Sequence, residues 1–228
     1  MNLKAHYNLL YEKSLEKIIS DNYTIDKLID SSKDNRFGIT LLIRPPLEIK
    51  NEIQKFLNEL RILDSNQYYY ENTDIHITIM SLISCYAGFK LEDIDVAKYN
   101  NLIKKSLSNI SEIEIEFKGV TASPSCFMIQ GFMKNESLNN LRNNLRTHFK
   151  SSHLQQSLDK RYTIQTAHTT VVRFKEKLNN KTDFLKIIEK YRTHNFGSFK
   201  VKNIELVYND WYQRVKFVKK LSEFSIKY

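Results

Sequence analysis

The feature that most constrains this chain is a unit it uses twice. The apolar run Phe37–Arg44 is stopped by Pro45-Pro46, because proline has no N–H for a sheet ladder. From Leu47 the apolar residues recur at helical spacing: Ile49, Ile53, Phe56, Leu57, Leu60 and Leu63. A second strand-like run, Ile75–Ile83, carries His76. The same order then returns as a strand at Phe127–Phe132, a helix through Leu138, Leu141, Leu145 and Phe149, and a strand at Gln165–Phe174 that carries His168. From Phe37 to His76 is 39 positions, and from Phe127 to His168 is 41. No Pro/Gly/Ser-rich linker separates the copies, so the repeat belongs to one compact unit.

Around the repeat, periodicity predicts helices over residues 3–19, Val96–Leu107 and Phe184–Tyr191, with a short helical piece at Ile25–Ile29. Strands are expected at Gln67–Tyr70 and Ile113–Val120. A final strand pair, Phe199–Tyr208 and Gln213–Val218, is expected to turn at Asn209-Asp210. With 228 residues, 41% hydrophobic and 27% charged, the chain can bury a core and is not a disordered sequence. No apolar run approaches the roughly 20 residues that span a bilayer. The N-terminus is too charged for a secretory signal, and two cysteines make neither a disulfide framework nor a zinc cluster. A soluble, cytoplasmic protein without membrane association is expected. Neither a GxGxxG nor a GxxxxGK[ST] loop occurs, and no cofactor is expected.

Charge is uneven. Residues 1–120 hold 15 Lys and Arg against 18 Asp and Glu, whereas residues 121–228 hold 20 against 8. The basic half suits a phosphate-bearing partner, although a solvated lysine-rich surface would look the same.

The chemistry concentrates in the two His-bearing strands. In Ile75-His76-Ile77-Thr78-Ile79 and Ala167-His168-Thr169-Thr170-Val171, strand alternation puts His76 beside Thr78 and His168 beside Thr170, with Ile75, Ile77 and Ile79 on the opposite face of the first and Ala167, Thr169 and Val171 on that of the second. An imidazole and a hydroxyl buried without partners would cost on the order of a few kcal/mol, so each pair should face water or a cleft. In-line displacement at phosphorus needs a base for the attacking oxygen, an acid for the leaving oxygen and donors for the phosphoryl oxygens. Two histidines, titrating near neutrality, divide into base and acid; the two threonines supply donors. A metal site would need a third ligand, and no HxxxH or carboxylate cluster accompanies the pair, so no metal is expected. His6, His148, His153 and His194 lack the pattern and are assigned to surface or packing.

Two motifs of the form His-x-Thr-hydrophobic, 92 residues apart, resemble those of the 2H phosphoesterase superfamily, in particular its 2'-5' RNA ligase and cyclic nucleotide phosphodiesterase branch. The matching residues are His76-Ile77-Thr78-Ile79 and His168-Thr169-Thr170-Val171, and the resemblance covers roughly residues 36–220. It implies an α+β bilobal fold: two antiparallel sheets flanked by helices around a central groove, with pseudo-two-fold symmetry. It also implies metal-independent hydrolysis of 2',3'-cyclic phosphates, or making and breaking of 2'-5' RNA links, with RNA ends or nucleotide cyclic phosphates as partners. Residues 1–35 then form an N-terminal helical extension to a single domain over 36–228, expected to be monomeric.

Other residues are candidates for holding the substrate. Arg173 ends the second His strand, although alternation puts it on the face opposite His168 unless the strand bulges. Arg44 closes the first strand. Tyr70, Tyr208 and Trp211 are aromatics that could stack on a base. Cys85 and Cys126 are expected to pack. Two other functions fit the same residues: hydrolysis of a small cyclic nucleotide or cyclic sugar phosphate, and RNA binding without catalysis.

Overall fold

The computed structural model describes residues 2–160 and 162–226. In chain order its elements are α1 (Leu3–Ile19), β1 (Arg36–Ile43), α2 (Leu47–Leu63), β2 (Tyr68–Tyr69), β3 (Ile77–Ala87), α3 (Val96–Leu107), β4 (Glu114–Ser123), β5 (Cys126–Met133), α4 (Ser137–Lys150), β6 (Thr169–Arg173), α5 (Lys181–Lys190), β7 (Asn195–Lys200), β8 (Asn203–Asp210) and β9 (Lys219–Ser225). They form two antiparallel sheets, ordered β3-β1-β8-β9 and β2-β6-β5-β4-β7.

The repeated unit accounts for this topology. In the first sheet β3 pairs with β1, and in the second β6 pairs with β5. With the two-residue β2 set aside, the strand orders match position for position, so the two histidine strands hold equivalent places. This is the expected bilobal, pseudo-symmetric α+β architecture. The repeats exchange helices. The first repeat's α2 lies on the second sheet against α5, β6 and β7; the second repeat's α4 lies against α3 and β3. Phe56 of α2 packs on Tyr191 and Phe196, with ring centroids 4.7 and 6.1 Å apart, and Tyr99 of α3 meets Phe149 of α4 at 5.7 Å. Each such fully buried side chain contributes about 2–3 kcal/mol. The exchange lets one hydrophobic cluster run through both lobes. Charge complementarity follows: Glu59, from the acidic half, takes Lys190 at 2.8 Å, and Glu116 takes Lys134 at 2.7 Å.

The N-terminal helix is docked on β4. It buries Tyr7, Tyr11, Ser14 and Ile18, a stripe at steps of four, three and four. The Tyr7 hydroxyl donates to the Gly131 carbonyl at 3.1 Å, and Thr121 Oγ1 donates to the Tyr7 carbonyl at 2.9 Å.

Three local expectations need correction. Residues 25–29 form no helix; residues 27–30 make a turn, and Asp26 N–H donates to the Phe174 carbonyl, tying the segment to the second lobe. The run expected at Phe199–Tyr208 is two strands, β7 and β8, lying in different sheets. The last strand starts at Lys219, not Gln213, because residues 211–218 are a folded connection. There the Asp210 carboxylate accepts Arg214 N–H at 2.9 Å, and Tyr212 is wholly buried. Among the described residues no helix is long and apolar enough to cross a membrane.

Candidate active site

A cavity of about 650 Å³ lies between the sheets, and His76, Thr78, His168 and Thr170 all line it. Each histidine sits one residue ahead of its strand, β3 or β6, where the backbone leaves the ladder. Each ring is held through Nδ1 by the residue two positions upstream: His76 by the Asp74 carbonyl at 2.7 Å, His168 by Thr166 Oγ1 at 2.6 Å. A carbonyl only accepts, so Nδ1 of His76 carries a proton and Nε2 is the nitrogen left to exchange one with a ligand. The Thr166 hydroxyl serves His168 as donor or acceptor.

Burial pushes both rings down to about 4. For His76 the charges of Arg44, His168 and Arg173 add to burial, against the opposing Asp74 carbonyl; for His168 those of Arg142, Arg173 and His6 add. Without an anion beside them, both rings are neutral at pH 7.

Strand register explains what else reaches the cavity. On β6, Thr170 stands opposite Met128 but Arg173 opposite Cys126, so Val171 is an extra residue against β5. The bulge reverses the alternation and turns Arg173 to the face of Thr170. Simple alternation placed it on the other face; the bulge overturns that. Arg173 Nε donates to the Tyr70 hydroxyl at 3.0 Å, and both residues line the cavity. The first lobe repeats the device. Thr78 stands opposite Leu42 and Ser81 opposite Thr40, with Ile79 as the extra residue. Both motifs therefore read His-x-Thr-x-x-polar on the cavity face, with Ser81 matching Arg173.

Trp211 lines the cavity, with the Arg36 guanidinium 4.5 Å from its ring centre. Arg44 and Tyr208, put forward as substrate contacts, are not brought to it. Arg44 pairs with Glu205 at 2.9 Å and donates to the Thr73 carbonyl at 2.8 Å; Tyr208 stacks on Phe37 with centroids 4.9 Å apart. Cys85 and Cys126 both line the cavity, Cys126 with its Sγ 3.0 Å from Ser123 Oγ. His6, assigned from the sequence to surface or packing, also lines it, together with Tyr7 and Leu10 of α1. The signal for His6 lay only in its place beside Tyr7, since its spacing matches no motif. His148 and His194 do pack, against Ser106 and against Tyr191 and Phe196. Among the described residues no carboxylate lines the cavity and no group of three potential metal ligands occurs.

No family model matches the sequence, and no curated protein matches it. Solved structures do match in fold. TT0787 of Thermus thermophilus has a TM-score of 0.57 at 13% identity, covering 83% of this chain and 98% of its own. Escherichia coli LigT complexed with 3'-AMP has a TM-score of 0.55 at 12% identity, covering 85% and 99%. The conserved protein of unknown function ATU0111 from Agrobacterium tumefaciens has a TM-score of 0.58 at 12% identity, covering 92% and 97%. The chain thus has the fold of the LigT-type 2H phosphoesterases, as the resemblance of its two motifs implied.

Proposed function

We propose that this protein is a phosphoesterase that opens a nucleotidic 2',3'-cyclic phosphate, or reversibly forms a 2'-5' phosphodiester, by two-histidine acid–base catalysis. One observation carries the reading: histidines 92 residues apart line one cavity, each followed on the same wall by a threonine hydroxyl, with Arg173 beside them. In hydrolysis, one imidazole takes a proton from the attacking water as its oxygen bonds to phosphorus. The other, charged, gives a proton to the leaving ribose oxygen as the old P–O bond breaks, and the roles exchange in the reverse direction. Thr78 and Thr170 donate to the non-bridging oxygens, and the Arg173 guanidinium offsets their charge. Among the described residues the cavity wall carries no carboxylate, which favours an anion. Binding one raises the pKa of the nearest imidazole, which charges the acid only once substrate is seated.

A nucleotide is the favoured substrate. LigT has been described in complexes with 3'-AMP, phosphate, ATP and NADP+. Here Trp211 offers an aromatic edge within the same cavity, and the volume is in the range that holds one small ligand. The test is hydrolysis of 2',3'-cyclic nucleotides by the wild type and by His76→Ala and His168→Ala. Each variant is expected to lose about two to four orders of magnitude in kcat. Undiminished turnover in a variant carrying both substitutions refutes the assignment.

A second reading, a small cyclic phosphate in place of RNA, is favoured by the presence of only one arginine among the described cavity-lining residues. An RNA substrate would give a steep fall of kcat/KM with salt, through counterion release, and a small one a shallow fall. Tight RNA binding without turnover of any cyclic phosphate would make the protein a binding module.

A further inference from the structure

Arg142 is the one arginine of the chain with no exposed surface among those described, and it lies in the apolar stripe of α4 with Leu138, Leu141, Leu145 and Phe149. Its partners are backbone carbonyls and the Met133 sulfur; no carboxylate pairs with it among the described residues. Nε donates to Ile79 O at 3.1 Å, and Nη2 donates to Thr78 O at 3.2 Å and to Thr166 O at 2.7 Å. Thr78 and Ile79 form the bulge of β3, where an extra residue leaves the ladder. Thr166 holds the His168 ring through its hydroxyl. One guanidinium therefore bonds both histidine motifs from beneath, on a helix that the second repeat sends to the first lobe.

We propose that Arg142 is a positioning residue that locks the β3 bulge and ties it to the segment entering β6, fixing the spacing between the two histidine motifs. The planar fork suits this task. It gives several donors in fixed directions to carbonyls on β3 and on the segment entering β6, which an ammonium on a flexible stem does not. Its charge also has an electrical consequence. Burial pushes Arg142 down to about 10, so it stays charged at neutral pH. Facing His168 are Arg142 from α4, Arg173 from its own strand, His6 and Tyr7 from α1, and His76 across the cavity. Removal of the Arg142 charge takes away one of the repulsions that disfavour a charged His168, so that ring titrates at higher pH.

The inference rests on His76 and His168 being the reacting pair, and the experiment separates the two claims. Arg142→Met and Arg142→Lys are compared with wild type by steady-state kinetics on 2',3'-cyclic nucleotides, by thermal melting and by NMR titration of the histidine rings without substrate. Arg142→Met is expected to lose about 10²-fold in kcat per folded molecule, the cost of about 1 Å of misplacement, with KM little changed. Its His168 midpoint rises, and the limb of the pH profile that His168 sets moves with it. Arg142→Lys keeps the charge and hence the wild-type midpoint, with a loss of about tenfold in kcat. Wild-type kcat in either variant, or an unmoved His168 midpoint in a folded Arg142→Met, overturns the proposal. If Arg142→Met does not fold, Arg142→Lys decides: full activity overturns the role, and loss with an unmoved midpoint supports it. A wild type inactive on every cyclic phosphate, with a His168 midpoint that still rises in Arg142→Met, refutes the proposed function and leaves the Arg142 linkage standing.

Discussion

Acid should unfold this protein through its two cavity histidines, and the size of the effect follows from their environment. Each ring titrates near 6.5 in an unfolded chain and is pushed down to about 4 in the fold, first by burial. A depressed folded-state pKa means that the unfolded chain takes up the proton first. Stability is therefore whole above pH 6.5 and is lost as pH falls toward 4. At pH 5 the unfolded rings are almost all charged and the folded ones mostly neutral, which costs at most about 2 kcal/mol per ring, or about 4 for the pair. The aspartates and glutamates titrate in part of this window too, so the pH effect alone does not identify the histidines. The informative quantity is the difference between wild type and a His76→Gln/His168→Gln variant, in which every carboxylate is unchanged. Urea unfolding at pH 7.5 and 5.0, followed by the fluorescence of Trp211, the one tryptophan, would give it. With a urea dependence of about 2 kcal/mol per molar, the wild-type midpoint should fall by up to about 2 M more than that of the variant. Equal falls in the two proteins would refute the claim that the rings are held neutral by burial.

Three further outcomes follow from the geometry. Phosphate should bind more tightly as pH falls from 7 toward 5, with proton uptake visible as a buffer-dependent heat in calorimetry; heat independent of buffer would mean that neither ring is charged by the anion. Arg173→Gln should reduce kcat/KM by about 10²-fold, consistent with losing a charge-assisted contact worth about 1.5–3 kcal/mol, and Arg173→Lys should recover part of it; unchanged kinetics would place the guanidinium outside the reaction. A Cβ at Gly131 would run into the Ala167 carbonyl next to His168, whereas one at Gly88 meets nothing and suffers only from a φ of +86°. Gly131→Ala should thus lower both melting temperature and kcat, and Gly88→Ala should cost about 1 kcal/mol with kcat intact.

The elements and the two histidine–threonine pairs were legible in the residues because they depend on short-range order. Helical spacing in 47–63 and 138–149, the Pro45-Pro46 stop and the alternation around His76 and His168 each involve neighbours a few positions apart. The symmetry was legible because the unit is written twice. What lies around the histidines was decided elsewhere. Arg173 and Ser81 face the cavity only because Val171 and Ile79 are extra residues against β5 and β1, and a strand's own sequence carries no record of its partner's register. Arg44 is consumed by Glu205, 161 positions away, and His6 reaches the cavity on a helix docked against β4. The segment after Asp210 looked like a strand and became a folded connection, because Arg214 and the buried Tyr212 found partners there. Local patterns set which side chains can share a face; the pairing of distant strands and the exchange of helices set which faces meet.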